Sequence, residues 1–118
     1  MDDTARNFIQ EKSKELVTNF IYNFKACDPY LFEVTFTQGY CYFFAVMLKE
    51  RFTHSQIWYN PELVHFATYI DNVGLCDITG IIPDELFTDK WIPWEEYKLI
   101  NKYNGDIIRK IEKECIYK

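Results

Sequence analysis

The chain has 118 residues, 48% hydrophobic and 19% aromatic, with a formal net charge of −5 at pH 7. This is material for one core, so one α+β domain over 1–118 is expected, and the acidic balance without any Lys/Arg block argues against nucleic acid as a partner. No apolar run reaches the ~18 residues of a membrane span, and the start MDDTARNFIQEK lacks the basic-then-apolar order of a secretory signal, so a cytoplasmic protein with no membrane partner is expected.

In chain order, Ala5, Phe8, Ile9, Leu16, Val17, Phe20, Ile21 and Phe24 recur at helical spacing behind Asp2, Asp3 and Thr4, predicting an N-terminal helix over 1–27 that stops before Asp28-Pro29. A loop or short extended piece over 30–36 follows. The run Tyr40 to Leu48 is apolar almost throughout and has no decisive period, but its continuation through Lys49, Glu50 and Arg51 favours a buried helix over about 40–52. Strands are expected over 56–60, 64–70 and 75–78, with turns at Asn60-Pro61 and at Asp71 to Gly74, the last two strands forming a hairpin. Beyond this 37–80 core, residues 81–118 should form a helical extension, with a short turn over 83–87 and a terminal helix from Gly105. Segment 84–96, DELFTDKWIPWEE, reads as a surface turn with inward aromatic anchors or as a contact for a basic protein.

The four cysteines Cys27, Cys41, Cys76 and Cys115 show neither CxxC nor metal-finger spacing and are read as thiols. Cys41 would occupy the first turn of the buried helix, where the partial positive charge and unpaired N–H groups favour a thiolate and can hold an oxyanion; Gly39 just before it permits close approach of a substrate. Of the two histidines, His65 opens a strand and has a rigid mount, whereas His54 lies between helix and strand and is read as surface. Asp77, on the returning strand, could fix the His65 tautomer. It reaches His65 if it lies opposite Ala67, is too far away opposite Tyr69, and points to the other face opposite Thr68. Taken singly, Cys41 reads rather as a small core hydrophobe, His65 as a core histidine and Asp77 as a cap; together, in this order, they favour a catalytic triad. Cys76 should face away from Asp77. A metal site from Cys41, His54, His65 and Asp77 is disfavoured because no pair has local ligand spacing, and no cofactor signature is present.

The segments GYCYFFAVMLKERF (39–52) and HFATYIDNVGLCDITG (65–80) resemble a group of small bacterial and phage proteins with a papain-like, transglutaminase-like core. The resemblance implies cysteine at a helix start, then histidine and aspartate on successive strands, and thiol attack on amides or acyl groups. Cys41 would then be the nucleophile, His65 the base and Asp77 the orienting residue, with Gln38 matching the oxyanion glutamine of papain-like enzymes. It also implies that asparagine could replace Asp77 with some activity kept. The expected activity is a cysteine-dependent hydrolase or acyltransferase on an amide, ester or isopeptide bond of a peptide or protein, with no cofactor. The alternative is a non-catalytic acidic binding module on the same fold, such as a phage-type inhibitor of a host protein.

Overall fold

The structure, a computed structural model, describes residues 3–26 and 41–114. Its helices are α1 (Asp3–Ala26), α2 (Cys41–Arg51), α3 (Trp94–Ile100) and α4 (Gly105–Glu114); its strands are β1 (Ser55–Asn60), β2 (His65–Ile70), β3 (Gly74–Asp77), β4 (Gly80–Ile81) and β5 (Ile92–Pro93). A 3₁₀ turn covers Asp84–Leu86. The strands form one antiparallel sheet in the order β4-β3-β2-β1-β5, so the α+β expectation is met, among the described residues, by four helices on a five-stranded sheet.

Burial decides what periodicity left open for α2. Cys41, Phe44, Ala45 and Leu48 are its buried residues, the i, i+3, i+4, i+7 stripe of a helix lying on a sheet, while Lys49 and Arg51 close its last turn where a helix favours positive charge. The stripe meets the even-numbered side of β2. Cys41 and Ala45 share a core cluster with Phe66, the Thr68 hydroxyl donates to the Ala45 carbonyl at 2.8 Å, and Leu48 clusters with Ile70. Helix α2 therefore runs along β2 in the same direction, and its first residue lies over the start of that strand. Val17 and Ile21 of α1 join Phe44, Leu48, Ile70 and Cys76 in one cluster, and Ile108 and Ile111 of α4 pack on the cluster of Cys41, Phe66 and Trp94.

The odd-numbered side of β2 faces a different layer. Ala67 packs with Leu75, Ile82 and Trp91, and Trp58, Leu63, Tyr69 and Phe87 close around them. The segment 84–96 is thus more than a surface turn. It supplies β5 and the start of α3, and its Trp91 and Trp94 are buried on opposite sides of the sheet while Leu86 is exposed. Neither element was expected, since Ile-Pro is too short to show a strand period and a proline that starts a helix also reads as one that interrupts it.

The expected hairpin of β2 and β3 forms, and β1 and β2 make a second one. Asn72 (φ 67°) and Gly74 (φ 117°) take the left-handed positions that turn β2 into β3. Between β1 and β2 the chain turns through 61–64, and Val64, expected to begin the strand, instead sits in the turn at φ 50°. A β-branched residue disfavours that region, which is why the sequence reads Val64 as strand.

Candidate functional site

The β2–β3 register answers the question that the turn sequence leaves open. Ile70 pairs with Gly74, Tyr69 with Leu75 and Thr68 with Cys76, so one further step sets Asp77 across from Ala67, diagonal to His65. His65 Nε2 and Asp77 Oδ2 lie 2.8 Å apart, and both residues are buried. A carboxylate only accepts, so Nε2 carries the hydrogen and a neutral ring has its lone pair on Nδ1. The second oxygen of Asp77 is also held: Oδ1 accepts the Thr79 backbone N–H at 2.8 Å and the Thr79 hydroxyl at 2.5 Å. Three donors on one buried carboxylate leave it little freedom to rotate. Thr79 was not singled out from the sequence, although Asp77-Ile78-Thr79 has the i, i+2 spacing at which an aspartate caps its own turn.

Cys41 reaches the site from the helix layer. It is the first residue of α2, 2% exposed, packed among Ala45, Tyr59, Phe66 and Trp94. The structure thus brings His65 and Asp77 into contact and sets Cys41 at the same end of β2, its packing directed at Phe66, which leaves the strand on the side opposite His65. Its sulfur is disulfide-bonded, which corrects the reading of all four cysteines as thiols. Spacing along the chain says nothing of which sulfurs a fold brings together. Gln38 and Gly39, and with them the glutamine side of the oxyanion expectation, lie outside the described residues, as do Cys27 and Cys115. His54 is exposed, as read from the sequence. Among the described residues no group of three or more His, Cys, Asp or Glu side chains could hold a metal ion.

Cys76 is a free, buried thiol on the helix-facing side of β3, clustered with Phe44 and Ile78 and turned away from Asp77. Burial first, and then the neighbouring Asp77 charge, push its pKa from 9.0 up to about 12. Two results are expected. The native protein should leave Cys76 unalkylated near pH 8 until denaturant is added. Because the folded value lies above the unfolded one, this group's contribution to stability is intact below pH 9 and is lost as pH rises toward 12. Tyr59, raised from 10.0 to about 12 by burial and then by Tyr97, acts in the same direction. Melting temperature should therefore fall across this window, and less steeply in Cys76→Ala; an equal slope in that variant would rule Cys76 out as a contributor.

By architecture the chain is an α+β protein with a buried histidine–aspartate pair on one face of its sheet and, on the other, a helix headed by a disulfide-bonded cysteine. The chain belongs to the phage YunG-like protein family, whose model matches residues 20–114 and so spans α2, the whole sheet and both members of the pair. No curated protein and no solved structure matches it. Among the described residues no helix is long and apolar enough to cross a membrane.

Proposed function

We propose that this chain is a cysteine-dependent hydrolase or acyltransferase with a papain-like core, in which reduced Cys41 is the nucleophile, His65 the base and Asp77 the residue that orients it. The observation that carries this reading is the 2.8 Å contact between His65 Nε2 and an Asp77 carboxylate clamped by Thr79. That arrangement leaves the Nδ1 lone pair as the site for a proton. Its position at the start of β2, the end of the strand over which α2 begins on the other face, agrees with the order of residues in papain-like enzymes.

The reaction starts with reduction of the Cys41 disulfide by a dithiol, which takes up the two-electron change. The released Cys41 side chain lies over Phe66 while His65 leaves β2 on the other face, so the first turn of α2 must shift past the start of the strand before the thiol gives its proton to Nδ1. Its sulfur then bonds to the substrate carbonyl carbon, with N–H groups of the first turn of α2 facing the oxyanion. As the carbon–nitrogen or carbon–oxygen bond breaks, the leaving group takes the proton from His65, and a thioester remains. Water or an acceptor amine displaces the sulfur, which regains a proton.

Iodoacetamide labelling of the reduced protein at pH 6, followed by mass mapping, tests this. Cys41 should label first, and His65→Ala should slow its labelling by roughly 10²-fold, the low end of what a positioned base supplies. Equal labelling in wild type and His65→Ala would remove the thiol-enzyme reading. A second reading, a non-catalytic acidic protein-binding module, would then take its place; the burial and disulfide of Cys41 favour it, since a packing cysteine needs neither exposure nor a base.

A further inference from the structure

We propose that the turn from Asn60 to Val64 is a positioning device for His65, with Asn60 and Val64 as positioning residues; this rests on the reading of His65 as the base. Asn60 and His65 face each other as the closing pair of the β1–β2 hairpin. The Asn60 side chain is buried, and its Oδ1 accepts the backbone N–H groups of Glu62 at 3.0 Å and Leu63 at 3.1 Å, satisfying the donors that the turn leaves over. Pro61 stands next, with its φ preset by the ring. The turn ends at Val64, held at φ 50° immediately before His65.

A left-handed residue at the end of a hairpin loop is normally Gly or Asn, because a branched Cβ is strained there. Strain of this kind persists only where the surroundings over-determine the backbone, and it gathers next to functional side chains. The gain from valine is stiffness. A branched residue has few alternative conformations, so the Cα of His65 enters β2 in one direction and the ring meets Asp77 without searching. Asn60 fixes the start of the turn, Val64 its exit, and His65 is the first residue of the strand that results. Among the described residues, Val64 belongs to none of the three core clusters.

The test uses the full reduced chain labelled with ¹⁵N-histidine, in wild type, Asn60→Ala, Asn60→Asp and Val64→Gly. The readout is the His65 Nε2–H resonance and its exchange with solvent, which reports the bond to Asp77 independently of any activity. Asn60→Ala should exchange this hydrogen about ten-fold faster while the protein stays folded, and Asn60→Asp, which keeps the acceptor, should restore protection. Val64→Gly should melt at the same temperature or higher, because the strain is relieved, and yet exchange faster. A purely structural role would make protection follow the melting temperature, so the Val64→Gly arm decides even if Asn60→Ala fails to fold. Unchanged exchange in Val64→Gly, or loss of protection in Asn60→Asp as complete as in Asn60→Ala, overturns the proposal. If protection responds as expected while Cys41 labelling ignores His65→Ala, the base role of His65 falls and its positioning by this turn stands.

Discussion

Trp94→Ala should lower stability by about 3–5 kcal/mol, the usual range for truncating a large buried aromatic residue, and this is a substantial share of the roughly 5–15 kcal/mol that holds a domain of this size together. Trp94 is 1% exposed although it opens a helix of only seven residues. Its ring lies 4.7 Å from that of Phe66 at 86°, 5.3 Å from Tyr59 and 6.2 Å from Tyr42 in edge contacts, and stacks on Tyr97 at 5.5 Å. These partners come from β2, β1, α2 and α3, so alanine opens a cavity where the helix layer meets the sheet. Such a cavity cannot close by moving one element. Urea unfolding is the measurement: the midpoint should fall with an unchanged slope, and a midpoint within about 0.5 kcal/mol of wild type would show that the aromatic cluster repacks. Leu99→Ala and Tyr103→Ala, at 69% and 88% exposure, are the matched controls and should change little.

If His65 activates Cys41 as proposed, Asp77→Asn should be at least as damaging to that activation as Asp77→Ala, the reverse of what the resemblance to papain-like enzymes with asparagine at this place implies. The reason is Thr79. Its backbone N–H, a donor that cannot be reversed, bonds Oδ1, so the amide oxygen of an introduced asparagine is drawn to that side. The amide NH₂ then faces His65 Nε2, and the ring must move its hydrogen to Nδ1 to accept. With Nδ1 occupied, it no longer takes a proton from Cys41, and labelling of the reduced thiol should fall by roughly 10²–10⁴. Asp77→Ala leaves the buried ring N–H without its acceptor, at a cost of about 1–3 kcal/mol, while the exposed Thr79 donors turn to water. Proton–nitrogen correlation spectra of the imidazole report the tautomer directly. Wild-type labelling in Asp77→Asn, with Nε2 still carrying the hydrogen, would show that Thr79 does not dictate the amide orientation.

By itself the sequence determined the features that depend on near neighbours. Helical spacing from Ala5 to Phe24 sets α1, the Lys-Glu-Arg continuation marks α2, and Asp71 to Gly74 turns the β2–β3 hairpin, because propensity and turn chemistry act over a few residues. Cys76 and Asp77 had to part to opposite faces for the same reason, a strand's period of two. Tertiary structure decided what depends on distant segments. Three registers of Asp77 were open until the ladder chose the one opposite Ala67, since a shift of one residue costs little in the turn and is settled by burying His65 on one face and Phe66 on the other. The pairing state of Cys41, the burial of Trp94 behind a proline and the left-handed Val64 follow from contacts made across the fold, where packing outweighs local preference by several kcal/mol.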